Sequence, residues 1–260
     1  MKPSRVLRKL RAGEYVLTAA ICRVTEPWLA EIVGRLGYDV IWFDQEHRSF
    51  PDTAIDPISL ACRATGIDLM VRVRKGGYDS PMRALEFGAN GIMVPHVRSA
   101  AEARQWVEWC KFPPQGNRGL DGAGSDALFG MEGGLDYLEA ANRETFLTLQ
   151  IEDRDAVECV EEIAAVPGVD LLFVGPGDLS LSYGVPFQFQ HPLLVEAYKR
   201  VDAATKAAGN WWGTVSGTPE AAQLALDRGA RMVVGGVDHV FLLDGFQRSF
   251  ASFSKLTLKA

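Results

Sequence analysis

The chain has 260 residues, 47% of them hydrophobic, and a formal net charge of -6. That length suits one α/β barrel of about 250 residues better than two small domains, so a single domain over 1–260 is expected. The acidic balance argues against nucleic acid and against an anionic membrane surface, and no apolar run approaches the roughly 18 residues of a membrane-spanning helix.

The N-terminal stretch MKPSRVLRKLRAGE is basic and lacks an apolar signal core. Val6, Leu7 and Leu10 fall on one face, which predicts a short amphipathic helix. A phrase then recurs along the chain: a glycine, one or two residues, and an apolar run. It begins at Gly37, Gly66, Gly88, Gly168 and Gly229. Each glycine follows a helical pattern and precedes a strand pattern, where a left-handed residue closes a helix. Repeated joints of this kind predict alternating helices and strands.

Eight strands are expected, near 15–20, 39–44, 68–73, 91–94, 145–151, 169–174, 211–215 and 231–235. Most are continuous apolar runs, as parallel strands buried on both faces should be. Ser80-Pro81 and Thr218-Pro219 read as helix starts, an N-cap followed by proline. Asp56-Pro57 either kinks its helix or delays its start. Two stretches break the spacing. Between Lys111 and Gly134 lies a Gly- and Pro-rich excursion, long enough to suggest a loop over an active-site mouth. The second runs from Ser180 to Pro192. The four cysteines, Cys22, Cys62, Cys110 and Cys159, form no Cys-x-x-Cys. That predicts reduced thiols in a cytoplasmic protein, without a zinc site or disulfide frame.

The most informative stretch runs from Thr145 to Gly184. Two apolar strands flank a helical repeat of Val157, Val160, Ile163 and Ala164, a βαβ unit with parallel strands. One strand ends in Glu152 and the other in Gly175-Pro176-Gly177-Asp178. The two acids therefore stand on the same sheet edge. They could cap helices, share an acid/base role, or hold a hard divalent cation. Eight such strands make a (β/α)8 barrel, whose chemistry sits at the C-terminal strand ends. There the second strand offers Asp44-Gln45-Glu46-His47, the third Arg72 with Arg74, the fourth Pro95-His96 and the fifth Gln150-Ile151-Glu152. An arginine suits a carboxylate or enolate oxygen. His47, oriented by Asp44 or Glu46, suits a general base. Arg72 and Arg74 alternate, so both are expected to point the same way. The predicted strands contain no lysine for a Schiff base, and Lys75 is the only near candidate.

The segments FDQEH (43–47), VRVR (71–74), GANGIMVPHV (88–97), FPPQGNRG (112–119), LQIED (149–153) and VGPGDLS (174–180) occur in one order. With that spacing the chain resembles the HpcH/HpaI aldolase family over nearly its whole length. The resemblance implies a TIM barrel of the phosphoenolpyruvate/pyruvate type and a class II, metal-dependent pyruvate aldolase of the 2-oxo-3-deoxy-acid type. It implies Glu152 and Asp178 as ligands of Mg²⁺, Mn²⁺ or Co²⁺. It implies His47 as the base, Asp44 as the residue orienting it, and Arg72 on the pyruvyl oxygens. Gly177, Asp178 and Gln150 complete the implied substrate-binding set. The chain departs from the family pattern at Arg74, in TAAICR of the first strand, and around Trp211-Trp212-Gly213, and these departures bear on the aldehyde half.

Other readings of the same barrel are an oxaloacetate decarboxylase, a citrate-lyase-β or malyl-CoA-lyase type enzyme, and a catalytically silent binding protein. A CoA nucleotide would want a basic surface, which the acidic balance does not favour. Val240, Phe241, Leu242, Leu243, Phe246, Phe250 and Phe253 cover more than one side of the last helix. One barrel can cover only one stripe. A homo-oligomer is therefore expected; the resemblance implies a hexamer, a trimer of dimers, with that helix exchanged or packed between subunits.

Overall fold

A parallel strand buried on both faces must be apolar throughout, and the apolar runs are the strands. In the computed structural model, which describes residues 2–257, they are β1 (Val16–Ile21), β2 (Val40–Asp44), β3 (Asp68–Arg72), β4 (Gly91–Val94), β5 (Phe146–Ile151), β6 (Leu171–Val174), β7 (Trp211–Val215) and β8 (Met232–Val237). They pair in chain order, every pair parallel, and β8 closes on β1. Closure leaves no sheet edge to protect. The protein is thus a (β/α)8 barrel, as the repeated phrase predicts. Gly37, Gly66, Gly88, Gly168 and Gly229 all have φ between 78° and 104°, the left-handed region in which a Cβ is penalised.

Before the barrel comes α1 (Arg5–Arg11), and α2 (Pro27–Arg35), α3 (Ile55–Thr65), α4 (Asp79–Glu86), α5 (Ala100–Cys110) and α6 (Gly134–Glu144) follow the first four strands. After β5 the expected single helix is two short ones, α7 (Arg154–Glu158) and α8 (Val160–Ala164), parted where Cys159 leaves helical geometry and its Sγ turns to the Arg98 carbonyl at 3.3 Å. Then come α9 (Pro176–Ser182), α10 (Pro192–Ala208), α11 (Pro219–Asp227) and α12 (Asp238–Phe253). Thr218 caps α11 as expected, accepting from the Ala221 N–H at 3.2 Å. α4 starts two residues earlier than Ser80-Pro81 suggests, and Pro81 falls in its first turn, where the N–H it lacks would have no partner. Pro57 lies likewise in the first turn of α3, behind a short 3-10 turn at Asp52–Ala54, so it does not kink the helix. The cysteines are free thiols, and only Cys159 of the four is not buried. Among the described residues no helix is long and apolar enough to cross a membrane.

The core has two parts. Ile41, Phe43, Leu69, Val71, Ile92 and Val94 point outward against the helices. Trp42, Met70, Met93, Phe146, Phe173 and Met232 fill the barrel itself. Its N-terminal end is plugged by α1, whose Val6, Leu7 and Leu10 join that inner cluster. Burying each is worth roughly 1.5–3 kcal/mol. Asp68 at the start of β3 accepts from Ser4 Oγ at 2.6 Å and the Val6 N–H at 2.9 Å, and Asp39 at the start of β2 pairs with Arg5 and Lys9, both at 2.8 Å. One end of the barrel is therefore sealed and the other stays open.

Two peripheral segments behave differently. The 111–134 excursion does not cover this chain's open end. It lies between α4 and α6: Gly119 donates its N–H to Tyr78 Oη, Arg63 reaches the Ser125 carbonyl at 3.1 Å, and a buried Arg118–Asp126 pair at 2.6 Å holds it together with the Tyr137 hydroxyl. The ion pair ties the loop to itself, and Tyr137, Arg63 and Tyr78 tie it to its neighbours. α12 buries only Asp238 of its own residues, while Phe246, Phe250 and Phe253 are each more than two-thirds exposed.

Candidate active site

The open end leads into a cavity of about 760 Å³. Trp42, Arg72, Gln150, Glu152, Gly177 and Asp178 lie on its wall. Glu152 follows β5 directly and is only 3% exposed. Its Oε1 accepts from Gln150 Nε2 at 3.0 Å and its Oε2 from the His96 N–H at 3.1 Å. The carboxylate occupies space that Gly175 leaves open, since a Cβ there would lie 2.2 Å from Oε1. Burial pushes the Glu152 carboxyl up to about 7, against the lowering effect of His96 and with a further rise from Glu46. Asp178 stands in the first turn of α9, exposed at the same cavity. The N–H groups of Gly177 and Asp178 share that turn, where a helix has no carbonyl to offer them.

Arg72 ends β3 and is buried at 8% exposure. Its Nε meets Asp44 Oδ1 at 2.9 Å, its Nη1 meets Glu46 Oε2 at 3.0 Å, and its guanidinium lies 4.7 Å from the Trp42 ring centroid. Burial works against the charge, yet the hydrogen bond and charge of Asp44, with Glu46 and Glu152, hold its pKa above the ordinary arginine value. The same contact holds Asp44 below the usual carboxylate range although burial acts the other way. Three sides of the guanidinium are occupied, and Nη2 remains for a ligand.

His47 stands apart. It does not line the cavity, its side chain is 54% exposed, and its Nε2 is 3.6 Å from Glu46 Oε2. Asp44 meets only its backbone N–H, at 3.5 Å. In this geometry Glu46, not Asp44, is the carboxylate beside the imidazole. Arg74 does not join Arg72, because β3 ends at Arg72 and strand alternation ends with it; its guanidinium turns to the Phe50 carbonyl and to Asp52 at 3.5 Å. Lys75 is occupied by Glu102 at 2.7 Å and by the His96 carbonyl, outside the cavity. His96 has no role in the sequence motifs. It holds φ at 48°, which aims its N–H at Glu152, and its ring lies 3.6 Å from Glu152 and 3.7 Å from Glu46. Its place after the fourth strand was the available signal; the left-handed backbone leaves none.

Among the described residues no three His, Cys, Asp or Glu side chains are grouped to hold an ion. A cation here would rest on two carboxylates. The donor set fits a hard one: both are oxygen ligands, and Gln150 Oε1 is buried beside them without a partner.

Residues 22–244 match the family model described as HpcH/HpaI aldolase/citrate lyase. The chain belongs to this family. It is 32% identical to a pyruvate aldolase from Rhizobium etli, over 95% of this chain and 96% of that one. It is 33% identical to a 2-keto-3-deoxy-L-rhamnonate aldolase from Klebsiella pneumoniae, over 88% and 85%. The crystal structure of an HpcH/HpaI aldolase from Desulfitobacterium hafniense superposes with a TM-score of 0.90 at 29% identity, covering 97% of both chains. The protein is accordingly an enzyme of the aldolase type, a carbon–carbon lyase.

Gly175→Ala is expected to displace the Glu152 carboxylate and to lower lyase activity by about 10²-fold, the cost a misplacement of ~1 Å can carry. Circular dichroism should be unchanged. Full activity in the alanine variant would show that the tight Gly175–Glu152 approach is dispensable.

Proposed function

We propose that this aldolase reversibly cleaves a 4-hydroxy-2-oxo acid to pyruvate and an aldehyde, with a divalent cation, Mg²⁺, Mn²⁺ or Co²⁺, at Glu152 and Asp178. The observation that carries the reading is one cavity walled by two carboxylates and a pinned guanidinium. Relatives named for pyruvate and for 2-keto-3-deoxy-L-rhamnonate support it.

In cleavage the C3–C4 bond breaks, its electron pair becomes the pyruvate enolate, and the 4-hydroxyl loses its proton. Arg72 can receive the enolate oxygen through Nη2 without moving, because Asp44, Glu46 and Trp42 fix it beforehand. The main-chain N–H groups of Gly177 and Asp178 can take the pyruvate carboxylate. Gln150 orients Glu152. His47, beside Glu46, accepts the 4-hydroxyl proton through intervening water. A cation bound at the two carboxylates would add Lewis-acid stabilisation of the negative oxygen and would reverse the protonation tendency that burial imposes on Glu152.

The exposed apolar face of α12 supports a second proposal: a homo-oligomer, a hexamer built as a trimer of dimers, with α12 covered by a neighbouring subunit. α2 adds exposed Trp28 and Ile32, with Leu36 just past its end. Apolar surface on this scale marks a contact site.

Glu152→Gln and Asp178→Asn should each abolish metal-dependent pyruvate release and weaken Mn²⁺ binding at least about tenfold by calorimetric titration. Unchanged Mn²⁺ affinity in both variants would sink the two-carboxylate site. For the assembly, light scattering at micromolar concentration should give a multiple of the 28.4 kDa chain. A monomer mass would contradict the exchanged helix.

A further inference from the structure

The cavity continues past the barrel mouth. Beyond Thr214 and Ser216 it runs outward between α10 and α11, along Phe189, Tyr198, Trp212, Leu224 and Arg228. Tyr198 and Trp212 belong to the outer core cluster, so this is a side chamber and not the barrel interior. The chamber exists because α11 turns small residues toward β7: Ala221 and Ala225, one helical turn apart, lie on its wall. Opposite them, Tyr198 and Trp212 stack with centroids 6.0 Å apart.

Two features make this more than a packing gap. The first is Arg228, just past the last residue of α11. Since α11 runs back from the rim over 9 residues, Arg228 lies about 13 Å from the start of that helix at 1.5 Å per residue. Its guanidinium lies 5.7 Å from the Tyr198 ring centroid, and its Nη2 donates to Gln190 Oε1 at 2.9 Å. Among the described residues no carboxylate pairs with it, in a chain whose net charge is -6. The second feature is the entrance. Phe187 holds φ at 60° with its ring exposed on the cavity wall, and its N–H goes to Ser180 Oγ at 3.1 Å. Ser180 Oγ in turn donates to the Gly177 carbonyl at 2.7 Å. Left-handed geometry at a non-glycine residue is strained and persists where the surroundings impose it. The aromatic entrance is thus hung from the same turn that carries Asp178.

We propose that this chamber holds the distal part of the aldehyde partner: an apolar body of aromatic size ending in a carboxylate received by Arg228. The assignment of the occupant rests on the aldolase reading above. Pyruvate needs only the rim. A flat apolar body fits along the accessible flanks of Phe189, Ala221 and Leu224, with Tyr198 and Trp212 as the buried floor beneath it, and a planar carboxylate suits the open edge of a guanidinium already anchored by Gln190 and Tyr198.

The test uses the full chain with Mg²⁺ and saturating pyruvate, and inert probes. Calorimetry with 4-methylbenzoate and its uncharged counterpart 4-methylbenzamide should show the carboxylate bound at least tenfold more tightly. Arg228→Met, which keeps an apolar stem, should remove that preference. Leu224→Trp, which fills the chamber, should weaken both probes. In turnover, the kcat/KM ratio of 4-formylbenzoate over benzaldehyde should fall at least tenfold in Arg228→Met, through KM. Equal binding of the two probes to the wild type would overturn the proposal. So would a carboxylate preference that survives both substitutions, since the probe would then sit elsewhere. Glycolaldehyde, too short to enter the chamber, tests the aldolase reading separately. If no aldehyde turns over while the Arg228-dependent preference stands, the aldehyde is rejected as occupant.

Discussion

The rim is built around one buried carboxylate. Glu152 sits at 3% exposure, where burial disfavours its charge, so every neighbour has to supply a hydrogen bond or space. Gln150 and the His96 N–H supply the bonds, and Gly175 the space. These demands explain local features that are otherwise odd. His96 takes a left-handed backbone because only that orientation turns its N–H to Glu152. The turn after β6 begins with glycine because any side chain there would displace the carboxylate.

The opposite end of the barrel shows what a purely structural buried carboxylate looks like. Asp68 is also pushed upward by burial, and it too is met by hydrogen bonds, from Ser4 and Val6. Yet it is sealed under α1, whose apolar residues complete the inner core. Glu152 faces an open cavity, with Asp178 and Arg72 on the same wall. The difference between the ends is access. A sealed N-terminal end and an open C-terminal end let one rigid frame support chemistry in a single direction.

The frame was legible because it is periodic. Each glycine at a helix–strand joint announces a backbone conformation, and each buried parallel strand must be apolar from end to end. Glu152, Gly177, Asp178, Gln150 and Arg72 follow from that frame, since strand ends decide what shares a rim. What escaped the sequence depends on contacts distant in the chain. The 111–134 loop goes to the outer wall because Asp126 finds Tyr137, the Ser125 carbonyl finds Arg63 and Gly119 finds Tyr78. Arg74 turns away from Arg72 because β3 ends at Arg72 and the Phe50 carbonyl and Asp52 take its guanidinium, and a strand's last residue cannot be read to one position from sequence. Asp44 serves Arg72 rather than the His47 imidazole, because a guanidinium from the neighbouring strand reaches it first. The motif holds all three residues, and only their geometry says which pair meets.

We propose above all that the Glu152–Asp178–Arg72 wall, with a divalent cation, stabilises the enolate of pyruvate. The most direct measurement is the exchange of the pyruvate methyl protons for deuterium, followed by NMR in heavy water with no aldehyde present. Exchange should require both the protein and Mg²⁺ or Mn²⁺, and should stop when a chelator is added. Exchange no faster than in protein-free buffer, or exchange that persists unchanged in the chelator, would contradict it.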